Sequence, residues 1–83
     1  LMFTVKQFNQ VSAYSWTTAH VEEFPTLEEA LGFVKHTIDL DHEVECSCCD
    51  EMQILDNGNT CIKSWAWCPD DIDAPCTWNE TKP

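Results

Sequence analysis

Val21-Glu22-Glu23-Phe24-Pro25-Thr26-Leu27-Glu28-Glu29-Ala30-Leu31 is the stretch that decides the fold, because the chain changes its periodicity inside it. Before Pro25 the residues alternate as a strand does, and after Thr26 they recur as a helix does. Pro25 has no N–H to give to a sheet, so it ends the strand. Thr26 is a good N-cap and Glu29 stands three residues on, which makes a capping box. Leu27, Ala30, Leu31, Val34 and Ile38 then form one apolar stripe. Glu28 and Glu29 sit in the first turn and Lys35 and His36 near the end, placements that suit the helix dipole. The spacing predicts a helix over Leu27–Ile38.

Working back from this junction, Tyr14–Phe24 is rich in β-branched and aromatic residues and reads as a strand. Met2–Phe8 reads as another, with Phe3 and Val5 on one face and Thr4 and Lys6 on the other. Asn9-Gln10-Val11-Ser12 is the expected turn. Working forward, Asp39–Glu45 reads as an acidic connector carrying His42. A second hairpin follows, with Met52–Leu55 and Thr60–Trp67 flanking Asp56-Asn57-Gly58-Asn59. Asn-Gly favours a type I′ turn, which needs positive φ at both central residues. The tail from Pro69 reads as irregular. The expectation is one α+β domain over residues 1–83: a small antiparallel sheet with one helix packed on a face, in the order β-β-α-β-β.

The cysteines divide the chain. Residues 1–45 hold none, and all six lie between Cys46 and Cys76. A two-residue turn pairs Leu55 with Thr60, Ile54 with Cys61 and Ser47 with Cys68. Cys68 then falls beside Cys46 and Cys48 at the open end of the hairpin, and Cys61 is left near the turn, roughly 20 Å away. The candidate metal set is Cys46, Cys48, Cys68 and Cys76, with Cys49 or His42 as alternates. Four thiolates suit tetrahedral zinc. Disulfides and ordinary buried thiols are the competing uses, and Cys61 reads as a small core residue. Small domains often need such a staple. Met2 as a native start implies an intracellular, reduced chain. A cleaved mature terminus at Leu1 would instead imply secretion and disulfides, and Asn79-Glu80-Thr81 is a glycosylation sequon.

The charge narrows the partners. Fifteen acidic residues face four lysines, with no arginine, for a formal charge of −11. Nucleic-acid binders need Lys and Arg against phosphate, and anionic membranes attract the same residues, so direct binding to either is disfavoured. No run approaches the ~20 apolar residues of a membrane helix. No complete catalytic signature is present, and the expectation is a protein that is not an enzyme. His20 shares a strand face with Trp16 and reads as packed. Trp65 and Trp67 alternate on a hairpin face and read as sheet cover rather than exposed anchors.

The Val21–Leu31 run, following a hairpin in an acidic chain, resembles small acidic host-defence inhibitors of bacterial viruses, the anti-CRISPR proteins among them. The resemblance lies in the pattern of elements and the charge over the first half of the chain. It implies a non-enzymatic inhibitor, acting in the host cytoplasm on a partner protein with a basic, nucleic-acid-handling surface, by steric block or charge mimicry. Glu22, Glu23, Glu28, Glu29, Asp39, Asp41, Glu43 and Glu45 surround the helix and its exit and would supply the charge. The alternatives are a zinc-stabilised interaction module and a secreted disulfide-stapled domain.

Overall fold

Burial alternates along Phe3–Ser12 (β1): Val5 and Gln7 are buried, while Thr4, Lys6 and Phe8 are only half-buried. One side of the strand therefore faces a core. The computed structural model describes residues 2–12, 14–44, 49–67 and 77–82. β1 is followed by β2 (Ser15–Phe24), α1 (Leu27–Val44), β3 (Glu51–Leu55), β4 (Cys61–Trp67) and β5 (Trp78–Lys82). The strands form one sheet in the order β2-β1-β3-β4-β5, and every neighbouring pair is antiparallel. The protein is α+β. β2 and β3 run parallel to each other with β1 between them, and α1 is the crossover that joins them.

The helix begins as its sequence predicts. Glu29 N–H donates to Thr26 Oγ1 at 3.2 Å, and Ala30 N–H donates to Thr26 O at 3.2 Å. Ala30 and Val34 enter one buried cluster with Val5, Cys49, Met52, Ile54, Trp65 and Trp78. Phe24, Leu27, Leu31, Phe33 and Ile38 pack on its margin. Met52, Ile54, Val5 and Val34 are its largest fully buried side chains, each worth about 1.5–3 kcal/mol relative to exposure. Trp65 is in this core and Trp67 lies against it, as cover for the sheet.

Five local expectations are corrected. Asn9–Ser12 is strand rather than turn. The hairpin closes between Ser12 and Ser15, because Gln10 pairs with Trp16 and its N–H donates to Asp50 Oδ2 at 2.7 Å. The helix does not stop at Ile38 but runs to Val44, because Asp41 and His42 are held from outside it. The tail is not wholly irregular, since Trp78–Lys82 adds a fifth strand to β4. Ser64 Oγ and Thr81 Oγ1 hydrogen-bond there at 2.6 Å, and Lys63 Nζ reaches Glu80 Oε1 at 3.4 Å.

The turn at Asp56–Asn59 is not type I′. Asn59 has φ 64°, and neither glycine has positive φ. Asn59 N–H donates to Asp56 O at 3.0 Å, closing an ordinary turn, and Asp56 Oδ1 accepts the N–H groups of Gly58 at 2.9 Å and Thr60 at 3.0 Å. The Asp56 carboxylate thus organises the loop, and Asn takes the left-handed position it tolerates. The register moves in consequence: Leu55 pairs with Cys61 and Ile54 with Lys63, with Ile62 as a bulge. The pairing of Ile54 with Cys61 is overturned, and that of Ser47 with Cys68 lies outside the described residues.

Candidate interaction surface

The geometry of α1 sorts its acids. Asp39 and Glu43 are one turn apart, and Glu28 precedes Asp39 by about three turns. Glu28, Glu29, Asp39 and Glu43 are all exposed and form one acidic strip on the outer side of the helix. Asp41 is different. It follows Val34 by about two turns and so falls on the inward side, where it is 7% exposed. Trp78 Nε1–H donates to Asp41 Oδ2 at 2.9 Å. Asp41 is therefore withdrawn from the surface set, because a carboxylate this buried is held by its partners rather than offered to solvent.

The strand acids divide by face. Phe24 pairs with Phe3 and Glu22 with Val5, so both lie on the helix side, where Phe24 stacks obliquely on Phe33. Glu22 Oε2 is 2.8 Å from His20 Nε2, and the His20 ring stacks on Phe33. Glu23 is exposed and pairs with Thr4, on the opposite face. The predicted single flank is thus an α1 strip plus Glu23 at the sheet edge. Glu45 lies outside the described residues.

Sequence reasoning missed an apolar feature on the β1–β2 hairpin. β3 pairs only with Thr4–Phe8 of β1, so the far end of the β1–β2 hairpin extends past it as a two-stranded arm. Tyr14 stands at its tip, 99% exposed, with Val11 and Trp16 exposed behind it and Val21 further along the edge strand. The signal was present in the sequence, as consecutive aromatic and β-branched residues in a strand with one side unpaired. Its exposure could be seen only once β2 was known to be an edge.

The candidate metal residues are placed in part. Cys46, Cys48, Cys68 and Cys76 lie outside the described residues. Cys49 is buried in the apolar core. His42 accepts the Trp78 N–H at Nε2 at 3.2 Å, and Thr77 Oγ1 bonds to the same nitrogen, which leaves Nδ1 as its other ring nitrogen. Cys61 is half-buried with its Sγ 3.4 Å from Lys63 O. Among the described residues no three His, Cys, Asp or Glu side chains stand close enough to share a metal ion. The segment ends that flank the cysteines do meet. Trp67 N–H donates to Asp50 O at 3.0 Å, Trp67 pairs with Trp78, and His42 ties the end of α1 to Trp78.

Among the described residues no helix is long and apolar enough to cross a membrane. No protein-family model, curated protein or solved structure matches this chain.

Proposed function

We propose that the chain is a non-enzymatic inhibitor that binds the basic surface of a nucleic-acid-handling protein, by steric block or charge mimicry, in the cytoplasm of a host cell. The observation that carries this reading is the exposed strip Glu28, Glu29, Asp39 and Glu43 on the outer side of α1, in a chain of formal charge −11. Complementary charge steers encounter and suppresses wrong partners more than it adds raw affinity. The affinity would come from desolvated aromatic anchors, where Trp and Tyr are enriched. Tyr14 and Trp16 on the hairpin arm supply them.

The test is affinity selection with the immobilised chain, followed by assays of each captured nuclease or nucleoprotein with the pure chain added. The expected result is inhibition of nucleic-acid binding or cleavage, with an affinity that falls steeply as salt rises. Association insensitive to salt, or capture without any effect on nucleic-acid activity, counts against the proposal.

A second reading is favoured by one observation, the convergence of His42, Asp50, Trp67 and Trp78 at one end of the sheet. These residues flank the segments that carry Cys46, Cys48, Cys68 and Cys76, a donor set that suits zinc. In that case the chain is a zinc-stabilised interaction module. With disulfides instead, it is a stapled secreted domain. Intact mass measured natively and denatured, with and without reductant, separates the two, since bound zinc adds its mass natively and each disulfide removes two hydrogens.

A further inference from the structure

The sheet has two edges, and they are built differently. β2 stands at one end, and among the described residues β1 is its one strand neighbour. Ser15–Val21 are all exposed. An edge strand presents N–H and C=O groups with no ladder to join, and proteins blunt such edges with short strands, Lys, Pro and bulges. The opposite edge has the first three: β5 is five residues long, includes Lys82 and is followed by Pro83. β2 has ten residues and no Lys, Arg or Pro. Its blunting device is a bulge at Ala19, where Gln7 pairs with His20 and Phe8 with Thr18.

The bulge divides this edge. On one side of it, Ser15–Thr18 belongs to the two-stranded arm. On the other, His20–Phe24 pairs with β1 where β1 also pairs with β3, so this half is backed by two further strands. Five residues is an ordinary strand length. Side chains there alternate between the faces. His20, Glu22 and Phe24 lie on the helix side and are engaged: His20 and Glu22 hold each other at 2.8 Å, and Phe24 rests on Phe33. Val21 and Glu23 lie on the other side, opposite Lys6 and Thr4. Val21 is 49% exposed. Glu23 is exposed, and its carboxylate has no hydrogen-bond or ion-pair partner among the described residues, Lys6 included.

A strand laid antiparallel on this half would continue the sheet. Its main chain would pair with the outward N–H and C=O groups, as in strand addition generally. Its side chains would meet Val21 and Glu23 two residues apart on one face, where cross-strand pairing favours a β-branched residue and a cation. Glu28 and Glu29, in the first turn of α1 just past Phe24, add to the attraction for a basic segment. A second copy would bring a further charge of −11 and a Glu23 of its own, so charge selects against it. We infer that the His20–Phe24 edge takes up an extended basic segment of the partner as a sixth strand, with Arg or Lys opposite Glu23 and a β-branched residue opposite Val21. The inference rests on the proposed basic partner only for the sign of that partner's charge.

The experiment titrates the ¹⁵N-labelled chain with the peptide acetyl-Thr-Arg-Thr-Val-Thr-amide, following amide shifts. In antiparallel register its Arg faces Glu23 and its Val faces Val21. The expected result is saturable shifts centred on His20–Phe24, with binding about fivefold tighter than for the same peptide carrying Glu in place of Arg. Glu23→Lys, at an exposed position, should reverse that preference. Backbone N–H groups of alternate residues point to opposite sides of a strand, so N-methylation at the second and fourth residues, or at the third and fifth, blocks one side or the other. Only one of the two methylated peptides should lose binding. No saturable shift, shifts centred elsewhere, no preference for Arg over Glu, a preference that survives Glu23→Lys, or equal effects of the two methylations would overturn the inference. Dimerisation of the free chain in sedimentation, with broadening of the His20–Phe24 amides, assigns the edge to a second copy and overturns it too. A chain that inhibits a nuclease while its β2 edge ignores the peptide sinks this inference and leaves the proposed function standing. Peptide uptake by a chain that inhibits no nucleic-acid-handling protein does the reverse.

Discussion

The indole Nε1–H of Trp78 donates to Asp41 Oδ2 at 2.9 Å across 37 residues of sequence. Through it the last strand is latched to the last third of the helix. His42, the next residue on α1, accepts the Trp78 backbone N–H, so one strand residue holds two consecutive helix residues. The Trp67 ring meets the Trp78 ring edge-on at 5.6 Å between centroids and lies beside His42.

Trp78→Phe retains most of the ring packing and deletes the donor to a buried carboxylate. It should destabilise the protein by about 1–3 kcal/mol. Asp41→Asn should cost less, since its amide oxygen still accepts the indole N–H. Urea midpoints of the two variants against the parent decide the matter. If Trp78→Phe matches the parent, this bond contributes nothing to holding β5 on α1.

Asn59, rather than Gly58, carries the left-handed backbone of the β3–β4 loop. Asn59→Val should cost about 1–2 kcal/mol, and Asn59→Gly should be neutral or slightly stabilising. A Cβ at Gly58 would come no nearer than 3.4 Å, to Asp56 Oδ1, so Gly58→Ala should change thermal stability little. A type I′ turn predicts the reverse ranking, with Gly58 the sensitive position.

The helix offers two changes of opposite sign. Thr26→Ala removes the acceptor of the Glu29 N–H and should destabilise by about 1 kcal/mol. Gly32 is exposed in the middle of α1, and an added Cβ would meet nothing within 4 Å. Gly32→Ala should therefore stabilise by about 0.5–1 kcal/mol. Denaturation curves showing both variants shifted the same way would contradict the helix assignment at one of these positions.

Neutralising the strip with Glu28→Gln, Glu29→Gln, Asp39→Asn and Glu43→Gln should leave the fold intact, as these side chains are exposed and surface changes usually stay within about 0.5 kcal/mol each. It should slow association with a basic partner and flatten its salt dependence. Trp16→Ala on the hairpin arm should instead speed dissociation, with the salt slope unchanged. Stopped-flow rates at two salt concentrations separate these roles. Equal effects of both variants on the salt slope would contradict the division of labour between strip and arm.

The start of the helix, the existence of both hairpins and the inward faces of β1 and α1 were legible in the residues, because each rests on contacts within a few positions. Pro25 withholds an N–H, Thr26 caps the turn that follows it, and Ala30 and Val34 recur at the helical period. The candidate surface was legible only in part. Glu28 and Glu29 could be placed in the first turn of the helix, but Asp39, Asp41 and Glu43 read alike as part of an acidic connector, and composition could not separate Asp41 from the other two. What withdraws it is Trp78, a residue whose own strand forms only because β4 offers an edge. The same holds for the register of the β3–β4 hairpin, where the Asp56 carboxylate overrides the Asn-Gly preference. Local sterics and hydrogen bonds along the chain determined the elements. Their ends, their register and which polar groups were buried were decided by pairing across long sequence separations, whose free energy is realised only when the whole sheet and helix assemble.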